Sequence, residues 1–400
     1  MKHVIILADG MSDYPTSEEL SFKTPMEYAD KPVMDALAAE GEQFLCKTVP
    51  EDMKPGSDVA NLSVLGYDPH IYYTGRSPLE AANMGISLGI EDTAFRANLV
   101  SLSGDGEFEV LTMKDYSAGE ISTDESTEII KTLAEELNSE KIKFYNGISY
   151  RHLMVKSGDT EICELTPPHD ITGRPIKQYL PKNSDILNLM KKSYDILYNH
   201  PVNVERRKRG KNTADSLWIW GSGKSCSLPS FEKIRGKRGA VVSAVDLVRG
   251  IGRLAGMEVV EVKGVTGNIN TNFDGKAQAA LDALFKGNDF CYIHIEAPDE
   301  CGHQGQAKEK ARSIELIDEK VVKKVIEGLR EAGEDFKLMI LPDHPTPVST
   351  RTHASDPVPC LIYDSRNKTS GTPGFTEKTA ADSGKILPIG HKLIEHFLVH

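Results

Sequence analysis

Apolar positions along this chain follow two periods. HVIILA, from His3 to Ala8, is almost unbroken in its apolar character and reads as a strand buried on both faces. The same pattern returns from Leu217 to Trp220, Gly239 to Ser243, Met257 to Val262, Phe290 to Ile295, Phe336 to Leu341 and Val358 to Tyr363. Between these runs the spacing changes. Ile314, Ile317, Val321, Val325 and Leu329 recur at steps of three and four, which predicts one face of a helix, and Gly333 supplies its stop. A second helix is expected from Ala244 to Ala255, ending near Gly256. Strands alternating with helices of this length predict an α/β fold with a mainly parallel sheet sandwiched by helices.

Residues 76–211 have another texture. Strands that alternate polar and apolar positions run from Asn98 to Leu102 and from Tyr150 to Val155, with a helix from about Ser126 to Leu137. The region ends in the basic stretch ERRKRGK, Glu205 to Lys211. It is expected to be an α+β domain inserted into a discontinuous core of residues 1–75 and 212–400. No internal repeat or long low-complexity tract interrupts the chain.

Composition narrows the class. A chain of 400 residues with 39% hydrophobic content can bury a sizeable core in two or three domains. A net charge of −12 argues against a general nucleic-acid surface, which needs a basic excess, but leaves room for a local basic pocket. The cysteines, Cys46, Cys163, Cys226, Cys291, Cys301 and Cys360, are scattered without a CxxC pair. Reduced thiols fit that better than a disulfide framework. The opening MKHVIILADG turns acidic too soon for a signal peptide, and no stretch nears the roughly 18 apolar residues of a membrane span. The expectation is a cytoplasmic protein with no membrane or nucleic-acid partner. Neither GxxxxGK[ST] nor a strand-to-helix GxGxxG is present, so no nucleotide cofactor is expected.

The chemistry concentrates where buried strands stop. VIILADG ends at Asp9, YIHIEAPD at Asp299, and LMILPDH at Asp343 with His344 beside it. Any one such acid is most often a turn former or a helix cap. In an open parallel sheet, however, ligands bind outside the carboxyl ends of the strands, so three acids distant in sequence would meet on one edge. Carboxylates so close repel unless cations neutralise them, and the pattern therefore implies metal. His303 follows Asp299 by four residues, placing both on one helix face if DECGH is helical. His344 diverges from its neighbour Asp343, which suits two adjacent ions, and His353 sits in the loop before the last core strand. In PGSDVANLSVLG, Ser57 follows a Pro-Gly turn at the start of an apolar-periodic run. It reads either as a plain N-cap or as a hydroxyl at a helix N-terminus, where a phosphate is favoured.

LADG at Asp9, GSDVAN at Ser57, APDECGH, PDH and THASDPVP together resemble the cofactor-independent phosphoglycerate mutases, in their archaeal-type branch, within the alkaline phosphatase superfamily. The resemblance extends through YYTGRSPLEAANMGI, AFRANLVS, PHDITG and SLWIWGSG over essentially the whole chain. It implies an alkaline-phosphatase-like core with an inserted substrate-binding lid. One metal ion is implied on Asp299, His303 and His353, and another on Asp9, Ser57, Asp343 and His344, with Ser57 as phosphoryl acceptor. Oxygen and imidazole donors without thiolate fit manganese, with zinc, cobalt or magnesium as alternatives. The implied reaction interconverts 3-phosphoglycerate and 2-phosphoglycerate through phosphoserine, with no bisphosphoglycerate. Cations for this phosphorylated three-carbon acid would come from Arg76, Arg96, Arg151, His152, Arg206 and Lys211, and Asp92 or Asp170 would act as general base. Each of these also reads as an ordinary surface charge or turn residue. A phosphatase or phosphopentomutase on the same metals is the enzymatic alternative. A non-catalytic metal-binding protein is the other, and it would gain nothing from Ser57.

Overall fold

The computed structural model describes residues 1–158 and 165–399, and Cys163 lies outside them. The chain divides into two compact units, Met1–Tyr73 with Ser227–His400, and Thr74–Cys226. Strands β1 (Lys2–Ala8) and β2 (Glu42–Cys46) open the first unit. The second unit holds β3 (Thr93–Ser103), β4 (Thr112–Asp115), β5 (Ile142–Ile148), β6 (Arg151–Lys156) and β7 (Ser216–Lys224). The chain then returns to the first unit with β8 (Gly239–Val242), β9 (Glu258–Val260), β10 (Phe290–Ile295), β11 (Phe336–Leu341), β12 (Val358–Asp364) and β13 (Ile386–Leu387).

The first unit is built on one sheet in the order β13-β2-β12-β11-β1-β10-β8-β9. β1 lies parallel between β10 and β11, with Ala8 opposite Ile295 and Leu7 opposite Leu341. That register makes three strands end level, so whatever follows them emerges on one edge. Val4, Ile6, Ile293 and Ile340 are wholly buried, as strands covered on both faces must be. β12 departs from the parallel pattern, running antiparallel to β11 and β2. Its connection from β11 contains no crossover helix of the kind that usually returns a chain in parallel. The stripe from Ile314 to Leu329 is helical but not one regular helix. Helices Ala307–Ile317 and Lys323–Glu331 are joined by a π turn, Asp318–Val322. There the Asp318 carboxylate accepts the Val33 and Met34 amides (3.1 and 2.7 Å), satisfying the start of helix Pro32–Glu40.

In the second unit β3 pairs antiparallel with β4, β6 and β7, and β5 pairs with β6. Phe95, Leu99, Ile129, Leu133, Met190 and Trp218 belong to its own core. Helix Thr123–Leu137 starts where the Ser122 side chain accepts the Glu125 amide. The run from Leu217 to Trp220 corrects the expectation drawn from the sequence. It lies in β7, antiparallel to β3, with Trp218 opposite Asn98 and Trp220 opposite Arg96, not in the parallel sheet. Pairing with a strand over a hundred positions away leaves no local signal, and it moves the return to the first unit from 211/212 to Cys226/Ser227. The described cysteines are unpaired thiols. Among the described residues no helix is long and apolar enough to cross a membrane.

Candidate metal centre and nucleophile

Asp9 follows β1 directly, Asp343 lies two residues beyond β11, and Asp299 lies in the first turn of helix Ala297–Gln304 just after β10. All three carboxylates are buried in the first unit. Asp343 is held from several sides. Its Oδ1 accepts the amides of Gly10 (3.1 Å) and His344 (3.0 Å), and its Oδ2 accepts Asn61 Nδ2 (3.1 Å). The Asn61 amide is oriented by the Tyr292 hydroxyl, which donates to its Oδ1 at 2.6 Å, and its Nδ2 also reaches the Ser57 carbonyl (2.8 Å). Ser57 is the first residue of helix Ser57–Val64, whose apolar face buries Val59, Ala60 and Leu62. The Ser57 hydroxyl oxygen therefore sits at a helix N-terminus, 3.2 Å from His344 Nε2 and 3.5 Å from Asp9 Oδ2.

The imidazoles converge on the same edge. His303, one helical turn beyond Asp299, brings Nε2 to 3.3 Å from Asp299 Oδ2 and 3.0 Å from His353 Nε2. His353 Nε2 is 3.5 Å from Asp299 Oδ1, and the His353 ring stacks on that of His344 at 4.0 Å. Their far nitrogens find acceptors. His303 Nδ1 faces the Arg351 carbonyl at 3.0 Å, and His353 Nδ1 the Pro55 carbonyl at 3.4 Å. A carbonyl only accepts, so each Nδ1 carries a proton and both Nε2 atoms face inward. Lone pairs this close repel unless a cation or a proton lies between them. A proton is favoured there: the hydrogen bond to Asp299 pushes His303 up to about 9.

The carboxylates show the same demand. Burial first, then the charges of Asp343 and Asp299, drive Asp9 well above the usual carboxylate range. Asp299 is held well below it; burial opposes this, but hydrogen bonds from His303 and His353 prevail. Ligand atoms of Asp299, His344 and His353 lie within 4.8 Å of one another, as do those of Asp9, His294 and Asp343. His344 Nε2 stands 3.4 Å from Asp343 Oδ2 and 3.7 Å from Asp9 Oδ1, so it faces both groups. This donor set, with carboxylates and imidazoles already oriented, suits two adjacent divalent ions.

His294 had no part in the expectations. It is fully buried in β10, and its Nε2 is 3.1 Å from Asp9 Oδ2 without a well-directed hydrogen bond. Burial pushes it down to about 3, so it is neutral and able to offer a lone pair. The available signal was a single imidazole inside an apolar strand that ends in an acid.

The second unit arranges its basic residues unequally. Arg76 begins helix Arg76–Asn83, half exposed, with Nε 3.0 Å from Glu80. Arg96 on β3 also reaches Glu80 (3.2 Å) and stands over Trp220, with Cζ 4.4 Å from the ring centre. Arg151 is exposed at the start of β6, and its charge, like that of Arg76, is felt by Arg96. His169 packs edge-on against Trp220 and Tyr116 beside these arginines and was not singled out in PHDITG. Asp170 is exposed next to it, whereas the Asp92 carboxylate accepts the Gly89 amide at 2.8 Å, a turn contact. Two expectations need correction. Arg206 is buried, and its guanidinium binds Glu125, the Ala118 carbonyl and the Asn212 carbonyl, so it staples the fold. His152 is buried too, accepts the Gly147 amide on Nδ1, and is driven down to about 3 by burial; it is no cation for a substrate. Lys211 is exposed on the loop after helix Pro201–Lys208.

Comparison with known proteins gives this geometry its relatives. The family model for 2,3-bisphosphoglycerate-independent phosphoglycerate mutase matches residues 38–203. A Methanosarcina acetivorans protein of that name is 48% identical over 91% of this chain and 90% of its own length. A solved structure from Pyrococcus horikoshii is similar at TM-score 0.81 and 30% identity, covering 100% of this chain and 96% of that one. The cofactor-independent phosphoglycerate mutase of Thermoplasma acidophilum is similar at TM-score 0.67 and 26% identity, covering 100% and 99%. Sequence likeness on this scale, together with a hydroxyl set among oriented carboxylates and imidazoles, establishes that the chain belongs to the 2,3-bisphosphoglycerate-independent phosphoglycerate mutase family.

Proposed function

We propose that the chain interconverts 3-phosphoglycerate and 2-phosphoglycerate through a phosphoserine at Ser57, with two divalent cations and without bisphosphoglycerate. The observation that carries this reading is the Ser57 hydroxyl at a helix N-terminus, within 3.5 Å of His344 and Asp9, beside two convergent donor groups. In this reading Asp299, His303 and His353 hold one cation, and Asp9, Asp343, His344 and Ser57 hold the other, with His294 within reach of Asp9. Bound there, the cations would supply positive charge to the serine oxygen and to the phosphoryl oxygens. Manganese fits the oxygen and imidazole donors.

The residues of the chain do the rest. Ser57 Oγ bonds to phosphorus as the ester oxygen of the substrate leaves, and the proton that serine gives up balances the one glycerate takes. The helix N-terminus that carries Ser57 favours the phosphoryl charge. Glycerate then turns, and its other hydroxyl takes the phosphoryl group back. Arg76, Arg96 and Arg151 are the cations assigned to the substrate's carboxylate and phosphate, with Asp170 and His169 beside them for proton exchange. The second unit is assigned the binding of substrate, and water must be kept from phosphoserine until glycerate takes the phosphoryl group back. The setting proposed is the cytoplasm, where three-carbon phosphoacids are processed.

An assay with 3-phosphoglycerate as sole phosphate source tests this. 2-Phosphoglycerate should form with Mn²⁺, cease with a chelator and return when Mn²⁺ is restored. Ser57→Ala should lower turnover by roughly 10³-fold or more, and mass spectrometry should find phosphate on Ser57 in the unmodified enzyme. Release of inorganic phosphate without 2-phosphoglycerate would replace the mutase reading with a phosphatase.

A further inference from the structure

Each imidazole at the rim has its Nδ1 anchored, but the anchors differ. His303 and His353 use main-chain carbonyls, of Arg351 and Pro55. His344 uses a side chain: its Nδ1 lies 3.3 Å from the Thr346 hydroxyl. That same hydroxyl is 2.5 Å from Asp299 Oδ1. A hydroxyl has one proton to give. A carboxylate only accepts, so the proton goes to Asp299, and the oxygen's lone pair is left facing His344 Nδ1. The arrangement closes only if His344 carries its own proton on Nδ1. Its Nε2 lone pair then faces Ser57, Asp343 and Asp9.

We infer that Thr346 is a positioning residue that sets the tautomer of His344 and bridges the two metal groups through one hydroxyl. The inference rests on the two-cation reading above and adds a residue to it that touches no ion. Thr346 is well placed to act this way. It is wholly buried, and its carbonyl accepts Lys310 Nζ at 2.8 Å. That ammonium is itself buried and also binds the Ser12 carbonyl (3.0 Å) and Asp13 (2.7 Å). The Thr346 amide donates to the Ser12 carbonyl at 3.2 Å. Two glycines leave the space it fills: a Cβ on Gly10 would stand 2.6 Å from the Thr346 hydroxyl, and one on Gly302 2.3 Å from its carbonyl. Both neighbours flank donors, Gly10 after Asp9 and Gly302 before His303. The hydroxyl thus acts on the donors from a fixed backbone position, which is what an outer-shell partner requires.

Manganese binding without substrate, by equilibrium dialysis and titration calorimetry, tests the inference apart from catalysis. Thr346→Val keeps the shape and removes the hydroxyl, and it should weaken both ions by about 10- to 100-fold. Thr346→Ser restores the hydroxyl and should stay within about threefold of the parent, while Thr346→Ala should match Thr346→Val. In metal-free protein at fixed pH, nitrogen-15 imidazole spectra should place the His344 proton on Nδ1 in the parent and Ser forms and lose that preference in Val. Two ions at parental affinity in Thr346→Val would overturn the inference. Loss of one ion alone would overturn the bridge. If Thr346→Val does not fold, the Ser and Ala forms decide, since equal losses in both would show that the hydroxyl is not what matters. Failure of the parent to bind manganese would instead strike the two-cation reading itself.

Discussion

Asp9 shows most directly how one residue can oppose the fold and serve the site. Its carboxylate is buried against Asp343 and within the field of Asp299, and both neighbours raise its proton affinity on top of burial. Such a group costs stability when ionised without a counter-charge. Asp9→Asn should therefore change sign with conditions. With chelator present, the variant should be more stable than the parent by about 1–3 kcal/mol in urea unfolding, because it no longer buries an acid whose ionisation burial and two neighbouring carboxylates oppose. With saturating Mn²⁺ the order should reverse, because the parent gains binding energy that the variant cannot. A variant that stays the more stable form in Mn²⁺ would show that Asp9 holds no ion, and one that is not the more stable form in chelator would show that Asp9 is not repelled by its neighbours. His294 stands close enough to Asp9 to take part, yet the sequence reading passed over it. A buried imidazole in an apolar strand resembles an ordinary core residue until the strand's neighbours are known.

Elements bring these residues together through their ends. β1, β10 and β11 stop level, so the turns after them share one edge, and the chain must turn sharply at Gly10 to keep Asp9 there. Gly10 has φ +63°, and a Cβ would meet Thr346 Oγ1 at 2.6 Å and the Asp299 Cα at 2.7 Å. The Cα belongs to backbone and cannot swing aside. Gly10→Ala should cost about 1–3 kcal/mol by chemical denaturation and should weaken Mn²⁺ binding more than any conservative change on the outer helices. Parental stability in that variant would mean the turn is free to relax. This level of organisation was largely legible beforehand. Strand ends in APD, ADG and PDH are local signals, and the His303 spacing on a helix holds as written, since Asp299 and His303 share helix Ala297–Gln304. Other features were not legible because their causes are distant. β7 takes its place from β3, the π turn at Asp318 from the amides of Val33 and Met34, and Arg206 its burial from Ala118 and Asn212.

At the scale of the molecule, chemistry and charge are divided between two cores. The side chains proposed to hold the cations, Asp9, Asp299, His303, Asp343, His344 and His353 with Ser57, all belong to the unit Met1–Tyr73 with Ser227–His400. Arg76, Arg96 and Arg151 belong to Thr74–Cys226, which packs its own apolar interior around Phe95, Leu133 and Trp218. Metal can stabilise only what it binds. At a free ion concentration 100 times the dissociation constant, one site contributes about 2.7 kcal/mol, which slows exchange through any opening that breaks that site by about 100-fold. Hydrogen exchange read by mass spectrometry should therefore show strong Mn²⁺ protection in peptides spanning 9–13, 55–62, 296–304 and 343–353. Peptides from β3 and β6 should exchange alike with Mn²⁺ and with chelator. Equal protection in both units would place metal binding elsewhere or spread it over the whole chain. Protection confined to the strand-end peptides would locate the cations beside Asp9, Asp299 and Asp343, the three buried carboxylates whose proton affinities burial and one another displace.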